Sequence, residues 1–342
     1  MKITLKRRRL SSSQIILLGF LGVIASGTIL LMLPWARAGA GSAPFLDALF
    51  TATSATCVTG LITNDTATYW SVFGQTVILC LIQVGGLGVI TVAIFITKLS
   101  GRKIGLMQRS TMQEAIAAPQ MGGIVRMTGF ILKMVVVIEA LGAAALLPAM
   151  IPEFGIVRGI WYAVFHSISS FCNAGFDLMG VKEPYSSLTS YTGDVAVNVI
   201  VMVLIVVGGI GFLTWDDVKR NRFHLRRYRM QSKVVLTVTA VLIVLPAVFF
   251  YWKEFGMPGW EDMSVGERIL ASFFQSITTR TAGYNTVDLT QLTQSGQMIM
   301  ILLMLIGGSP GSTAGGMKVT TLAVLFATAV AVFRRRPNAH IF

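Results

Sequence analysis

The feature of this sequence that most restricts its fold is a series of long apolar runs separated by short polar segments. A helix needs about 20 apolar residues to cross the hydrocarbon core of a bilayer, and most of these runs approach or exceed that length. Hydrophobic residues make up 54% of the 342 residues and charged residues only 13%, which is unlike a water-soluble domain. The sequence therefore predicts an all-α polytopic membrane protein, with apolar runs at 14–34, 72–97, 127–151, 194–215, 234–252 and 297–306 continuing at 319–333.

Basic residues are concentrated in alternate loops, and the net charge of the chain is +13. The intervening loops contain acidic residues instead. Because cytoplasmic loops of membrane proteins are enriched in lysine and arginine, this alternation predicts a cytoplasmic N-terminus and argues against nucleic-acid binding. The basic clusters lie at residues 2–9, 98–109, 219–233 and 334–336.

Three stretches align without gaps and divide the chain into repeats. They are "ALFTATSATCVTGL" at 48–61, "AVFHSISSFCNAGF" at 163–176 and "ASFFQSITTRTAGY" at 271–284, and in each a glycine follows the shared phenylalanine by ten positions. The apolar run after each stretch carries a second shared pattern, "GGLG", "GGIG" or "GGSPG". Such repetition predicts three units, at residues 1–110, 111–222 and 223–342.

Each unit is predicted to contain an outer helix, a short pore helix, a glycine turn and an inner helix, arranged as parallel repeats around a central pore. The pore helices are too short to span, so the chain must dip into the membrane and return. Non-helical backbone at that depth is tolerated only where it is buried in protein or lines an aqueous cavity. The predicted outer helices are 14–34, 127–151 and 234–252, the pore helices 43–55, 158–170 and 266–278, and the inner helices 72–97, 194–215 and 297–333.

The three glycine turns are candidates for a cation filter. Rings of backbone carbonyls can replace the hydration shell of a monovalent cation, and glycine adopts the required dihedral angles without steric cost. The aligned side chains differ, so the backbone is the predicted ligand; for any single copy, an ordinary loop with a turn glycine is the alternative. The candidate filter residues are Thr56, Cys57, Val58, Thr59 and Gly60; Phe171, Cys172, Asn173, Ala174 and Gly175; and Thr279, Arg280, Thr281, Ala282 and Gly283.

The segment "GGSPGSTAGGMK" interrupts the third inner helix. It is not a phosphate-binding P-loop, because Met317 precedes Lys318 and Val319 follows it, where that motif needs Gly-Lys-Ser/Thr. Two interpretations stay open: a flexible gate across a pore, or a kink at Pro310 with Lys318 reaching toward the cytoplasm. The candidate gate residues are Gly307, Gly308, Ser309, Pro310, Gly311, Ser312, Thr313, Ala314, Gly315, Gly316 and Lys318.

The motifs "ATCVTGL", "SFCNAGF", "TRTAGYN" and "IGGSPGSTAGGMK" resemble those of the membrane subunits of Ktr/Trk-type potassium transporters, and the resemblance covers essentially the whole chain. It implies four repeats around one pathway for K⁺, with Na⁺ as a second candidate ion, and a gate in the third inner helix. It also implies a homodimer in a bacterial-type cell membrane, a cytoplasmic nucleotide-binding regulatory subunit, and no cofactor in this chain. The basic segment 216–233 could bind anionic lipid or an acidic cytoplasmic partner.

Only three repeats precede Phe342, so the resemblance predicts a fourth repeat that this sequence does not contain. The alternative is a non-conducting subunit that acts as an assembly or interaction partner. An enzyme is not indicated, since the histidines are scattered and have no metal-ligand spacing. Two charged residues within apolar surroundings are singled out: Glu139 as either a functional or a structural carboxylate, and Arg280 as a side chain turned outward to a carboxylate or to backbone carbonyls.

Overall fold

The computed structural model of the protein describes residues 11–100, 104–116, 123–222 and 224–335. These residues form helices and no β-strand; two isolated bridges join Arg37 to Trp70 and Ile306 to Met317. The basic residues at 2–9, 102–103 and 336 lie outside the described residues. The helices in chain order are α1 Ser12–Leu31, α2 Phe45–Cys57, α3 Thr66–Tyr69, α4 Val72–Leu87, α5 Val89–Leu99, α6 Leu106–Ala115, α7 Ile124–Phe154, α8 Ile156–Phe171, α9 Val195–Gly209, α10 Phe212–Asn221, α11 Met230–Phe249, α12 Val265–Thr278, α13 Gln294–Met304 and α14 Val319–Phe333.

Within the described residues, three helices are long and apolar enough to cross a membrane: α1, α7, and α11 with its π-helical continuation to Glu254. The helices α9 and α10 meet at an angle of 97° and reach the length and apolar character of a fourth span only when taken together. Within each repeat the outer helix packs against the pore helix, as α1 does on α2, α7 on α8 and α11 on α12. Between repeats, α4 packs on α8 and α9 packs on α12, so that the first two inner helices each contact the pore helix of the following repeat.

Each inner helix begins at a side-chain N-cap, which satisfies a backbone amide that has no partner within the helix. Ser71 accepts a hydrogen bond from the amide of Gly74, Asp194 from that of Val197, and Thr293 from that of Gly296. The repeat in the sequence is therefore also a repeat in how the helices start.

The predicted helix bounds differ from the structure mainly in the inner helices. The helix predicted at 72–97 is broken at Gly88, and the one predicted at 194–215 is broken at Ile210–Gly211. Gly88 and Gly211 have φ values of 83° and 87°, which an α-helix cannot contain. The boundary predicted between residues 110 and 111 is wrong as well, because it cuts through α6, which packs on α1.

The double glycines of the first two inner helices allow close contact with the pore helices. A Cβ placed on Gly85 would lie 2.0 Å from the carbonyl oxygen of Thr56, and one on Gly208 would lie 2.0 Å from that of Phe171. Both carbonyls stand at the C-terminal end of a pore helix. In the third repeat, Gly307 instead meets Gly315 of its own loop.

We predict that Gly85→Ala destabilises the protein, because the new methyl group would overlap a backbone carbonyl that cannot move aside. The expected cost is about 1–3 kcal/mol or more in the free energy of unfolding, the range for overpacked interiors. Thermal unfolding in detergent, followed by size-exclusion chromatography, measures the change.

The matched control is Gly22→Ala in α1, where an added Cβ has no neighbour within 4 Å. Alanine is the better helix former, so this variant should melt at or above the wild-type temperature. Equal melting temperatures for the two variants would contradict the packing assigned to Gly85.

Candidate functional site

The three glycine turns share one backbone conformation. The third residue of each turn and the fifth, a glycine, have positive φ. For Val58 this is unusual, since β-branched residues rarely enter the left-handed region. The repeat found in the sequence is therefore reproduced at the level of single dihedral angles. The φ angles are 56°, 55° and 65° at Val58, Asn173 and Thr281, and 74°, 70° and 84° at Gly60, Gly175 and Gly283.

The first residues of the predicted filter segments are helical, which corrects the predicted start of the turns. Thr56, Cys57 and Phe171 belong to the pore helices, and Cys172 and Thr279 keep right-handed helical backbone angles. Left-handed backbone begins at the third position of each turn. The pore helices therefore end directly at the turns, where their last carbonyls carry partial negative charge.

The glycines of the three turns meet at one point. A Cβ on Gly60 would lie 2.8 Å from the carbonyl oxygen of Ala174, and a Cβ on Gly175 would lie 2.6 Å from that of Ala282. A Cβ on Gly283 would lie 3.3 Å from the Cα of Gly175 and 3.9 Å from the Cα of Gly60. Backbone atoms of residues more than 200 positions apart in the chain thus lie close together. Carbonyl oxygens of neighbouring turns lie beside the glycines.

The glycine-rich loop between α13 and α14, residues 305–318, folds back on itself. The amide of Gly307 donates to the carbonyl of Met317 (3.0 Å), and the amide of Met317 donates to that of Leu305 (3.1 Å). The loop is also fastened to the second inner helix: Ser309 N donates to Gly209 O at 2.9 Å. The break in the third inner helix is therefore an ordered hairpin and not a simple proline kink.

Three hydrogen bonds tie the glycine-rich loop to the filter segments. The hydroxyl of Thr313 donates to the carbonyl of Phe171 at 2.9 Å and contacts Oδ1 of Asn173 at 3.3 Å. The amide of Gly315 donates to the hydroxyl of Thr281 at 3.1 Å. Thr313 is 5% exposed, so the bonds of its hydroxyl form away from solvent, whereas the bond from Gly315 is exposed. The loop lies against the second and third turns.

The first turn faces a cavity instead. About 230 Å³ of space lies between the end of α2, the segment Gly85–Val89 and residues 311–315 of the glycine-rich loop. Cys57 lines this cavity, and its side chain is exposed. The loop therefore contacts the turns unevenly, closely on one side and across open space on the other.

The two cations predicted near the site have different surroundings. Lys318 donates from Nζ to the carbonyl of Ala314 at 2.8 Å, within the loop, and is partly buried. Arg280 is 3% exposed and donates from Nη2 to the hydroxyl of Thr239 at 3.2 Å. It turns to a hydroxyl, and no acidic side chain bonds it in the described part of the chain, which corrects the expected carboxylate or backbone partner. Its Nε and Nη1 atoms have no hydrogen-bond partner among those residues.

Sequence reasoning missed the roles of Gly85, Gly208 and Thr313. The double glycines were visible as a repeated pattern, but their partners, the last carbonyls of the pore helices, are distant in sequence. Thr313 carried no signal that separates it from the other small residues of the loop.

The broken spans, the repeated turns and the apolar composition define a multi-pass α-helical membrane protein. Residues 6–341 match the family TrkH, cation transport protein. The chain belongs to this family, which is one of transporters and not of enzymes. The predicted fold class and the predicted family are both confirmed.

Individual relatives agree with this assignment. The chain is 41% identical over 336 residues to the potassium/sodium uptake protein NtpJ of Enterococcus hirae, covering 98% of this chain and 73% of that protein. It is 38% identical over 335 residues to the Ktr system potassium uptake protein B of Bacillus subtilis, covering 98% and 74%. The structure of the potassium transporter TrkH from Vibrio parahaemolyticus matches with a TM-score of 0.70 at 19% identity. That match covers 96% of this chain and 64% of that one, and it shows the fold alone.

We predict that Thr239→Val destabilises the protein, because Thr239 supplies a hydrogen bond to a buried guanidinium. Losing that acceptor should lower the free energy of unfolding by about 1–3 kcal/mol. Thermal unfolding of the purified protein measures it.

Thr237→Val on the same helix is the matched control, since Thr237 is exposed. The free energy of unfolding of this variant should lie within about 0.5 kcal/mol of the wild-type value, as it usually does for surface substitutions. The assigned bond is wrong if Thr239→Val melts no lower than Thr237→Val.

Proposed function

We propose that this chain forms a transmembrane pathway for K⁺ in which backbone carbonyls of the three glycine turns act as the selectivity filter. One observation carries the proposal: the approach of Gly60, Gly175 and Gly283 to one another, with carbonyl oxygens beside them. Carbonyl oxygens arranged around one axis can take the place of a cation's hydration shell. The ends of three pore helices add partial negative charge at the same level.

The relatives support K⁺ as the ion and leave Na⁺ as a second candidate. One is named a potassium/sodium uptake protein, and others are named Ktr system potassium uptake proteins. Each repeat contributes only one glycine to the meeting point, so the filter is short. We therefore propose that discrimination between K⁺ and Na⁺ rests on few carbonyl positions, with Na⁺ coupling as a further proposal.

We propose that the glycine-rich loop is the gate of this pathway. Its support is its position against the second and third turns and its bonds to Phe171 and Thr281. Small residues let the hairpin pack closely, since a Cβ on Gly308 would lie 2.5 Å from the Cβ of Ala314. Opening requires a few neutral hydrogen bonds to break, each worth only about 0.5–1.5 kcal/mol. Such a loop can be displaced without unfolding the helices around it.

The orientation and partners are proposals that rest on charge. The basic segment between α10 and α11 includes Arg222, Arg226 and Arg227, and basic loops are typically cytoplasmic. We propose a cytoplasmic N-terminus in a bacterial cell membrane, a homodimer, and a nucleotide-binding regulatory subunit that docks on the basic side. The name Ktr system, carried by three of the relatives, is consistent with a multi-component transporter.

We predict that Gly283→Ser weakens the preference for K⁺ over Na⁺. Gly283 has more free space than Gly60 or Gly175, so a serine there should disturb the filter without preventing folding. The expected fall in the ratio of K⁺ to Na⁺ uptake is about tenfold, equal to about 1.4 kcal/mol of discrimination. Uptake of both ions in a transport-deficient bacterial strain measures the ratio.

Gly155→Ser controls for backbone strain, because Gly155 also has positive φ but no atom within 4 Å of an added Cβ. It should keep the wild-type ratio. An unchanged ratio of K⁺ to Na⁺ uptake in Gly283→Ser, with the protein present in the membrane, would contradict the proposed carbonyl filter.

We predict that deleting Ser309–Gly316 raises the cation flux. Thr313→Val should raise it by about fivefold, because one to two hydrogen bonds that hold the loop to the second turn are lost. Flux of Rb⁺ into proteoliposomes is the measurement. Thr321→Val on α14, an exposed position outside the loop, is the matched control and should leave flux unchanged. Wild-type flux in both loop variants, correctly inserted, would refute the gate.

A further inference from the structure

The second residue of the second and third turns places its side chain in a seam between two helices. One helix is the outer helix of the same repeat, and the other is the inner helix of the preceding repeat. Arg280 bonds Thr239 on α11, and its Nη2 would lie 3.8 Å from a Cβ on Gly209 at the end of α9. Cys172 lies in the corresponding seam between α7 and α4. The side chain at this position therefore connects the filter to the helices around it.

The seam around Cys172 contains a buried polar cluster formed by Gln83 on α4, Glu139 on α7 and Cys172 itself. Gln83 donates from Nε2 to Oε2 of Glu139 at 3.1 Å. The thiol of Cys172 lies 3.8 Å from Oε1 of Gln83 and 4.0 Å from Oε1 of Glu139, so both oxygens can accept from it. Cys172 is 0% exposed and Glu139 is 7% exposed.

The packing around this cluster leaves Cys172 little freedom. A Cβ on Gly86 of α4 would lie 2.8 Å from its sulfur, so the inner helix backbone presses on the thiol. Glu139 is also fixed through its backbone, because the hydroxyl of Ser167 on the pore helix α8 donates to its carbonyl at 2.7 Å. Gly142 makes this bond possible, since a Cβ there would lie 2.5 Å from the Ser167 oxygen.

A purely structural role does not account for the choice of residues. Buried polar groups in a membrane span are costly, and apolar side chains of similar volume would pack α4 against α7 at least as well. No lysine or arginine forms a salt bridge with Glu139 among the residues described. The cluster instead bonds to Cys172, the filter residue in this seam. Cys172 lies two positions before Ala174, and the carbonyl oxygen of Ala174 lies beside Gly60.

We propose that Glu139 and Gln83 are positioning residues for ion discrimination, which hold Cys172, and with it the second glycine turn, at the spacing that favours K⁺. The inference rests on the proposed filter. The residues act through hydrogen bonding and not by contact with the ion. A neutral side chain that keeps the same bonds therefore preserves selectivity, whereas one that cannot bond relaxes it.

The test measures the ratio of K⁺ to Na⁺ uptake for the full-length transporter in a transport-deficient bacterial strain. Glu139→Ala and Gln83→Met should each lower the ratio by about fivefold, the factor expected when one to two hydrogen bonds are lost. Glu139→Gln should stay within about twofold of wild type, because its amide oxygen can still accept from Gln83. Gln83 is only partly buried, so Gln83→Met tests the proposal even if Glu139→Ala fails to reach the membrane.

Thr128→Ala is the matched control. Thr128 is 2% exposed on the same helix but bonds Met112 and Ile124, away from the turns. It should lower stability and leave the ratio unchanged. A wild-type ratio in Gln83→Met and in any Glu139→Ala that inserts overturns the proposal, and so does Glu139→Gln if it is as impaired as Glu139→Ala. Absence of K⁺ uptake by the wild-type protein would refute the proposed function instead.

Discussion

Direct contact between the backbones of three turns is the constraint on which the rest of the structure depends. The turns around Gly60, Gly175 and Gly283 approach so closely that a methyl group on either of the first two would overlap a neighbouring carbonyl oxygen. A direct hydrogen bond joins the second turn to the third, from Nδ2 of Asn173 to the carbonyl of Arg280 at 3.2 Å, but close approach of this kind also needs rigid supports. The pore helices supply one support, ending where the turns begin. The double glycines of the inner helices supply another by packing on the last carbonyls of those pore helices.

The third repeat departs from this plan, and the departure is where regulation is proposed. In the first two repeats the inner helix breaks over only one or two residues, at Gly88 and at Ile210–Gly211, and resumes at Val89 and at Phe212. In the third, the same point opens into the hairpin of residues 305–318. Because this hairpin bonds to Phe171 and to Thr281, displacing it changes the surroundings of the second and third turns. The glycine-rich loop and these two turns are thus parts of one hydrogen-bonded unit.

The sequence alone predicted the class of fold and the repeats, because apolar length and aligned motifs are local properties of the chain. It also predicted unusual backbone angles at Gly60, Gly175 and Gly283, which have positive φ in the structure. It could not predict the breaks at Gly88 and Gly211, since an apolar run looks continuous whether or not a glycine inside it leaves the helical region. The sequence could not predict the contacts of Thr313, Arg280 and Glu139 for a different reason. Their partners come from other repeats, and a single sequence does not say which helices are neighbours.

The proposed filter requires that a cation binds where the three glycines meet. Anomalous diffraction from crystals of the transporter prepared with Tl⁺ in place of K⁺ would locate bound cations directly. The account predicts an anomalous peak at the meeting point of Gly60, Gly175 and Gly283, beside the carbonyl oxygens of Ala174 and Ala282. Tl⁺ bound elsewhere in the molecule, with no density at that point, would contradict it.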